Sequence, residues 1–513
     1  MIFFLMLKAH EGAEVDILDR LPTPFGLVRS GVAPDHPETK TVWRRTYVAQ
    51  AQIWCDAEHG GMVANLPCLT YLERPCRIQH GNDMDRVPIL ECPCFLGQIV
   101  INQFSRVATS ERCSFFGNVT LGSAVSLSEL RRIYDVVVLA YGAESDRSLG
   151  IPGEDLRAIH SAREFVWWYN GHPDCYCMTP DLKSTDTAVV LGQGNVALDV
   201  ARILLRPVAE LATTDISAHA LVSLQDSNIR KVYLVGRRGP AQAACTAKEL
   251  REILGIKNLN VHIQQADLDI SLADEEELKN SRIQRRVYEL FSKAAATSRS
   301  PDPTGVQREL HFLFFRKPDR FLPSDSGCSV GGVRLEKTCL KENGASGKQV
   351  AVGTGEFEDL NCGLVLKSIG YKSLPVDDLP FDSRKGVVPN IKGRVLSSPL
   401  PDHGVVENGL YVAGWLKRGP TGIIATNLYC AEETVASITE DIHKGSLTVA
   451  CGSPKPGRRG LLQLLEDKNV RFVPFSGWQN IDAMEKVEGQ KRNRPREKIA
   501  SWEELLRVAN QRN

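Results

Sequence analysis

The sequence has no excess charge of either sign, because 62 lysine and arginine residues balance 62 aspartate and glutamate residues over 513 positions. No global field therefore favours nucleic acid or an anionic membrane surface, and a charged partner must be met by a local patch. The sequence also lacks an apolar run of the roughly 18 residues that a membrane-spanning helix requires. With 42% hydrophobic and 24% charged residues, it predicts a globular chain of two or three domains. We expect a monomer with no nucleic-acid partner and no integral membrane span.

The 14 cysteines have no regular spacing, which argues against a disulfide framework and favours a reducing compartment. Cys92 and Cys94 lie near Cys68 and Cys76, but the paired CxxC spacing of a zinc site is absent. We therefore expect no metal site. The apolar segment Met1–Leu7 is too short for a membrane span, and it lacks the features of a secretory or mitochondrial presequence.

A dinucleotide-binding motif is present at 187–205, which reads TAVVLGQGNVALDVARILL. An apolar run predicts a strand, a glycine turn follows, and the next residues have helical spacing. In such a unit the first glycine permits a tight turn, the second leaves room for a pyrophosphate, and the helix N-terminus binds the negative charge. The predicted cofactor-binding residues are Gly192, Gln193, Gly194, Asn195 and Val196.

The next predicted strand, at 231–239, indicates which cofactor is bound. It reads KVYLVGRRG and ends in Arg237 and Arg238. An acidic residue here would bind the ribose of NAD, whereas paired arginines suit the 2′-phosphate of NADP. A solvated strand end is the alternative interpretation of the two arginines. The prediction is NADP.

Two further stretches have the pattern of a second dinucleotide site. Ala13–Asp19 resembles a short strand, and Asp19 stands where a Rossmann unit presents a carboxylate to a ribose. Gly409–Thr426 has the pattern of a strand, a glycine-rich turn and a helix, with Trp415 in the turn. Core packing is the alternative role for this tryptophan. Proline and glycine residues, which interrupt helices, are too frequent in Pro22–Lys40 for a helix, so we expect a loop there.

Five motifs resemble, in the same order, those of the adrenodoxin reductase family, the mitochondrial-type ferredoxin–NADP reductases. They are PFGLVRSGVAPDHPETK, LGQGNVALDVARILL, VGRRGPAQAACTAKELRE, GLVLKSIGYKS and GWLKRGPTGIIAT. The resemblance covers Leu7–Lys40 and about Val100 to the C-terminus. It fails at the N-terminus, where the family has a strand and a GxGxxG turn for the FAD pyrophosphate, and this sequence has MIFFLM. It also fails at Thr41–Ile99, which has no sustained hydrophobic period.

The resemblance implies an α/β fold with two Rossmann-like dinucleotide-binding domains, in which the NADP domain is inserted into a discontinuous FAD domain. The implied segments are a partial FAD-binding domain at 1–40, an atypical insertion without order at 41–99, the FAD-binding domain continued at 100–146, the NADP-binding domain at 147–366, the FAD-binding domain completed at 367–460 and a C-terminal surface segment at 461–513.

The resemblance also implies which residues contact the two cofactors. The residues expected at FAD are Asp19, Leu27, Leu121, Trp415, Gly422, Ile423 and Ile424. Those expected at NADP, besides the glycine turn and the two arginines, are Glu249 and Gly422. His36 and Asp199 match family residues near the flavin that could form a hydrogen-bonded pair and handle its proton, since a histidine can change charge near neutral pH.

Positive charge is expected to guide a protein partner. Arg251 matches a family residue that faces the ferredoxin. Arg282 and Arg286 lie four apart on one face of a helix predicted at 275–296. Because a ferredoxin is strongly acidic, such a cluster would steer and orient it. A solvated helix face is the alternative interpretation.

The implied reaction is hydride transfer from NADPH to FAD, followed by single-electron delivery to a [2Fe–2S] ferredoxin in the mitochondrial matrix. Two alternatives stay open. A flavin disulfide reductase would need a redox cysteine pair, and Cys175 and Cys177 form the only closely spaced pair outside 41–99. A non-catalytic NADP-binding remnant would result if the missing first glycine turn abolished FAD binding.

Overall fold

A computed structural model describes residues 2–36, 107–108, 110–297, 308–343, 348–398, 404–422, 426–447 and 455–511. One compact unit comprises Met1–Asp35 and Ala108–Asn513, and a second comprises His36–Val107. Of the second unit only His36 and Val107 are described, so the insertion predicted at 41–99 lies outside the described residues. No helix among the described residues combines the length and apolarity needed to cross a membrane.

Strands and helices alternate along most of the described chain. The strands are β1 Val15–Leu18, β2 Cys113–Phe116, β3 Val137–Leu139, β4 Ser145–Asp146, β5 Ile159–Ser161, β6 Thr187–Leu191, β7 Lys231–Val235, β8 Leu259–Ile263, β9 Arg308–Leu313, β10 Arg316–Pro323, β11 Val330–Asn343, β12 Lys348–Asn361, β13 Leu364–Lys367, β14 Tyr371–Lys372, β15 Asn390–Ile391, β16 Arg394–Leu396 and β17 Val406–Val412. The α-helices are α1 Ile2–Ala9, α2 Gly26–Ser30, α3 Leu127–Ile133, α4 Ala162–Tyr169, α5 Asn195–Leu205, α6 Val208–Leu211, α7 Ala218–Gln225, α8 Ala247–Leu254, α9 Leu272–Asn280, α10 Arg282–Ala296, α11 Trp415–Arg418, α12 Thr426–His443, α13 Gly457–Asp467, α14 Phe475–Gln490 and α15 Trp502–Ala509.

A six-stranded, wholly parallel sheet forms the centre of the region predicted to bind NADP. Its strand order is β5-β13-β6-β7-β9-β8. One face packs against α4, α5, α8 and α10 through a single hydrophobic cluster. The antiparallel sheet β10-β11-β12 covers part of the other face, where Phe321, Val333 and Leu335 pack with Val189 and Leu191. Burial on both faces explains why β6 is a continuous apolar run rather than an alternating one.

The strands of the region predicted to bind FAD lie in smaller sheets. β1 and β2 form a parallel pair, and β15-β16-β17-β3 form a mixed sheet in which β17 and β3 are parallel. Helix α1 packs against both groups, because Ile2 and Met6 share a hydrophobic cluster with Val15, Val138 and Tyr411. The N-terminal apolar stretch is thus a helix that covers strands, and it does not itself pair as a strand.

Two local predictions were wrong. The segment predicted as a loop contains the short helix α2, which begins after Phe25 in a left-handed conformation (φ 83°). The single helix predicted at 275–296 is divided at Ser281, which ends α9 and caps α10 by accepting a hydrogen bond from the Gln284 N–H. A serine whose side chain replaces the helical hydrogen bond favours a helix end over a helix interior.

The C-terminal segment packs more deeply than the expected surface role requires. Trp478, Ile481, Leu505 and Val508 form a buried cluster between α14 and α15. Glu485 on α14 is fully buried and accepts hydrogen bonds from the guanidinium groups of Arg29 and Arg496. Burial raises the pKa of Glu485, but the two guanidinium groups outweigh it and hold the pKa below its ordinary value. The segment thereby anchors α2, which carries Arg29.

Candidate functional site

The turn between β6 and α5 has the geometry of a pyrophosphate site. Gly192 has φ 133°, and a Cβ there would lie 2.3 Å from the Ser368 carbonyl oxygen, so only glycine fits. Gly194 stands at the N-cap of α5, and a Cβ added to it would meet nothing within 4 Å. Open space therefore lies before the free N–H groups of an 11-residue helix. These features fit a dinucleotide pyrophosphate.

Gln193 and Asn195 hold this turn in place. The Gln193 side chain is buried and its Nε2 donates to the carbonyl oxygens of Leu234 and Leu313, at 3.1 and 3.2 Å. It occupies the space that a Cβ on Gly236 would need. Asn195 Oδ1 accepts from the Thr246 N–H at 2.7 Å. Both side chains therefore connect the turn to neighbouring strands and to the start of α8.

The remaining residue predicted in the turn, Val196, is half-buried and packs against the main hydrophobic cluster. Its side chain supports α5, and only its backbone is available to a cofactor.

Two exposed guanidinium groups follow β7. Arg237 and Arg238 have no ion-pair partner among the residues that the structure describes. Burial lowers the pKa of Arg238, and the adjacent charge of Arg237 lowers it further. The Thr338 hydroxyl donates to the Arg237 carbonyl oxygen at 2.8 Å and fixes the end of the strand. The Glu277 carboxylate acts on Arg238, but neither arginine forms an ion pair among the described residues, and two adjacent guanidinium groups suit the 2′-phosphate of NADP.

A fully buried arginine joins three elements beside the glycine turn. Arg202 on α5 is 0% exposed, and its Nε and Nη2 donate to the Asp35 carboxylate at 2.6 and 3.1 Å. Nη2 also donates to Asp199 at 2.8 Å. On α8, the carboxylates of Glu249 and Glu252 lie 3.5 and 3.7 Å from Nη1. Burial lowers the pKa of Arg202, but these carboxylates outweigh it and raise the pKa above its ordinary value.

For the two residues predicted to handle the flavin's proton, the structure gives the surroundings of each but does not test their pairing. Asp199 is half-buried and is held by Arg202. His36 is buried, at 5% exposure, and belongs to the second unit. Their pairing therefore stays a prediction.

Of the residues predicted at FAD, Leu121 packs against a hydrophobic cluster, and Asp19 directly follows a strand that ends at the same cluster. Leu18, at the end of β1, and Leu121 pack against the cluster that contains Leu139 and Val412. Asp19 follows directly and accepts a hydrogen bond from the Leu21 N–H at 2.9 Å. Burial, aided by the Glu144 carboxylate, raises the pKa of Asp19 to about 7. A carboxylate directly after this strand is the acceptor that a Rossmann unit presents to a ribose.

The adjacent carboxyl ends of β3 and β17 leave space for a planar group. Gly142 (φ 80°) and Gly414 (φ 69°) follow these parallel strands, and a Cβ added to either would meet nothing within 4 Å. The Trp415 indole Nε1 is buried without a hydrogen-bond partner among the described residues. Its ring lies 5.9 Å from that of Tyr371. A buried donor without an acceptor, beside open glycines, fits a bound flavin.

The other residues predicted at FAD are placed less fully. Leu27 lies on α2 and is 38% exposed. Gly422 has φ 80°, and a Cβ there would come within 2.8 Å of the Thr426 hydroxyl. Ile423 and Ile424 lie outside the described residues. Among the described residues no GxGxxG turn precedes β1: α1 occupies Ile2–Ala9, and the turn between α1 and β1 contains the single glycine Gly12.

The basic residues predicted to face a partner lie on neighbouring helices. α8 and α10 pack together, and Arg251, Arg282 and Arg286 are all exposed on them. None of the three has an ion-pair partner among the described residues. Arg282 opens α10, where its charge adds to the positive end of the helix.

The cysteines of the disulfide-reductase alternative are poorly suited to exchange. Cys175 is buried and Cys177 is exposed. Burial raises the pKa of Cys175 to about 12, which leaves it as a thiol near neutral pH.

Sequence reasoning missed Asp35, Arg202 and Glu252. The spacing of Asp199 and Arg202, three apart on a helix, was visible as a local ion pair. The hydrogen bond from Arg202 to Asp35 could not be predicted from spacing, because the two residues are 167 positions apart.

Taken together, the two glycine-lined strand ends and the paired arginines define a two-dinucleotide oxidoreductase. No family model matches the chain. It is 60% identical to mitochondrial NADPH:adrenodoxin oxidoreductase of Arabidopsis thaliana, over 98% of this chain and 92% of that protein. It is 42% identical to the human protein of the same name, over 98% and 88%. Mycobacterium tuberculosis FprA in complex with NADPH superposes with a TM-score of 0.80 at 36% identity, covering 99% of this chain and 96% of that one.

The chain belongs to the NADPH:adrenodoxin oxidoreductase family. It is accordingly an oxidoreductase with FAD and NADP as cofactors, and the predicted two-domain α/β fold is confirmed.

Replacing Arg202 with methionine should destabilise the fold by about 3–5 kcal/mol, because the Asp35 and Asp199 carboxylates would lose their buried counterion. Arg507→Met is the matched control, because it removes the same residue type from an exposed ion pair, with Glu504 on α15. We expect the control to cost about 1 kcal/mol or less. Urea unfolding followed by far-UV circular dichroism measures both, and equal losses would contradict a special role for Arg202.

Proposed function

We propose that this chain transfers electrons from NADPH through FAD to a [2Fe–2S] ferredoxin of the adrenodoxin type, as a monomer in the mitochondrial matrix. The observation that carries the proposal is the pair of exposed arginines, neither in an ion pair among the described residues, beside an open glycine turn. Family membership supports it, since the named relatives are NADPH:adrenodoxin oxidoreductases and several are named mitochondrial. The alternative, a non-catalytic remnant, receives no support from these relatives.

The residues of the NADP region bind and orient NADPH. Free N–H groups of α5 hold the pyrophosphate behind Gly192 and Gly194, and Arg237 and Arg238 hold the 2′-phosphate. Glu249 on α8 lies near the nicotinamide nucleotide in this arrangement, held by the same buried Arg202 that fixes Asp35.

The residues of the FAD region hold the flavin, with Asp19 at a ribose, Trp415 donating its free indole N–H, and Leu27, Leu121, Gly422, Ile423 and Ile424 lining the site. When bound, FAD accepts a hydride and releases electrons one at a time. His36 and Asp199 act on the associated proton, and Arg202 holds Asp199 in place through a hydrogen bond. The hydrophobic cluster beneath the strand ends excludes water.

Arg251, Arg282 and Arg286 form the ferredoxin-docking surface. The preceding helix α9 carries Glu275 and Glu276, so the basic surface begins at the break between the two helices. Exposed charges without internal counterions are available to an acidic partner and increase its rate of association.

The visible absorption spectrum of the purified chain tests the function directly. A bound-flavin spectrum should bleach when NADPH is added anaerobically, and reduced enzyme should then reduce a [2Fe–2S] ferredoxin. Gly194→Val is the matched control, because its side chain would enter only the open space before α5. This variant should keep the flavin and its reduction by dithionite but lose bleaching by NADPH. A flavin-free chain that still binds NADP would overturn the proposal.

Nucleotide preference tests the two arginines. In Arg237→Gln/Arg238→Gln, KM for NADPH should rise about 10- to 100-fold, because charge-assisted hydrogen bonds to the 2′-phosphate are lost. KM for NADH, which lacks this phosphate, should change little. Steady-state ferricyanide reduction with each nucleotide measures both values. A parallel rise for NADH would mean that the arginines shape the site generally and do not read the phosphate.

Charge reversal tests the docking surface. Arg282→Glu/Arg286→Glu should raise KM for ferredoxin more than tenfold at low ionic strength, an effect that salt should reduce. KM for NADPH should not change. Lys183→Glu is the control, since this exposed lysine precedes β6 and so lies at the amino end of an interior strand of the parallel sheet. If the control variant loses as much ferredoxin affinity per charge, the effect is one of net charge and not of docking.

A further inference from the structure

Two histidines and a glutamate meet on one face of the parallel sheet, at its β8–β9 edge. His262 on β8 and His311 on β9 are register partners, and their rings stack with centroids 4.3 Å apart and planes 12° apart. Glu309 lies two residues before His311, hence on the same face, and its Oε2 is 2.9 Å from His311 Nε2. One nitrogen from each ring and one carboxylate oxygen all lie within 4.8 Å of one another.

We propose that His262, His311 and Glu309 bind a divalent transition metal ion of the zinc type. Two imidazole nitrogens and one carboxylate oxygen are ligands that zinc accepts, with water completing a tetrahedral shell. Sequence reasoning expected no metal site and looked only at cysteines. The two histidines are 49 positions apart in the chain, and strand pairing alone brings them together.

The present side-chain positions are close to those of a filled site. Zinc–ligand distances of about 2.0–2.1 Å in a tetrahedron place donor atoms roughly 3.4 Å apart. The separations here lie between 2.9 and 4.8 Å, so small rotations of exposed or half-buried side chains suffice. Tyr233 stacks on His311, at 4.5 Å between ring centroids. It thereby limits the ring to few orientations and reduces the entropy lost on binding.

Lys231 works against the site. It is the register partner of Glu309 on β7, and its Nζ lies 3.4 Å from Glu309 Oε2. The ammonium group competes with the metal for this carboxylate. This competition gives the proposal a variant that should bind metal more tightly than the natural chain.

The location indicates a structural role for the metal. β8 is an edge strand of the sheet, and a metal held by His262 and His311 would join it to β9. The glycine turns stand at the carboxyl ends of β3, β6 and β17, so the metal would stabilise an edge and not take part in electron transfer. Stabilisation follows because the folded sheet binds the ion and the unfolded chain does not.

Titration of the cofactor-loaded protein with ZnCl₂ by isothermal calorimetry tests the proposal. We expect one zinc ion per chain, with a Kd in the micromolar range, weakened at least tenfold in His262→Ala and Glu309→Gln. His262 is exposed, so its replacement should leave the fold intact. His443→Ala, which removes another exposed histidine on α12, is the matched control and should bind like the natural chain. Lys231→Gln should bind on the order of threefold more tightly.

Cobalt substitution separates this site from the free cysteines. Co²⁺ bound by nitrogen and oxygen should give visible d–d bands without the near-ultraviolet thiolate band. Unchanged zinc affinity in His262→Ala and Glu309→Gln would overturn the proposal, as would a thiolate band at one equivalent of cobalt. Unchanged affinity in Lys231→Gln would contradict the competition between Lys231 and the metal for the Glu309 carboxylate.

Discussion

The buried guanidinium of Arg202 is the interaction on which the arrangement of the site depends. A charge with no exposure to water is tolerated only when its hydrogen bonds and counterions are complete. Asp35 supplies them from the segment that follows α2, and Asp199 from α5 itself, and two glutamates on α8 add to the field. Because any misplacement leaves a buried charge unpaired, these three elements must take one relative position.

A second buried ion pair constrains the same segment at α2. Glu485 is fully buried on α14 and is held by Arg29 from α2 and by Arg496. Arg29 also lies over the Trp478 ring, at 5.2 Å from its centroid. The segment from α2 to Asp35 is thus tied by one buried ion pair to the C-terminal helices and by another to the NADP region. A loop rich in glycine and proline gains a defined shape from two distant charges, although its own sequence has little tendency toward regular structure.

Local sequence predicted those parts of the site whose physical cause is local. The turn at Gly192–Gly194 needs a conformation and an open space that only small residues permit, and the two arginines directly follow their strand, so both were predicted from a short stretch. Ser281 shows the limit even of local reasoning, since helical spacing across 275–296 concealed a cap that divides the helix. Arg202 and Glu485 were missed because a buried charge is defined by partners 167 and 456 positions away.

The two cofactor regions differ in how far the fold alone determines them. Around NADP, one sheet aligns the glycine turn, the arginine pair and α8, so a single set of backbone pairings positions every group. Around FAD, the contributing strands lie in separate sheets, and the common element is a hydrophobic cluster that holds Leu18, Leu121, Leu139 and Val412 together. Hydrophobic packing is less directional than a hydrogen-bonded ladder.

The orientation of a flavin in the FAD region must therefore come from the few polar groups beside the cluster, namely the Asp19 carboxylate and the free indole N–H of Trp415. A flavin bound there would itself complete the packing, because it supplies the acceptor and fills the space beside Gly142 and Gly414.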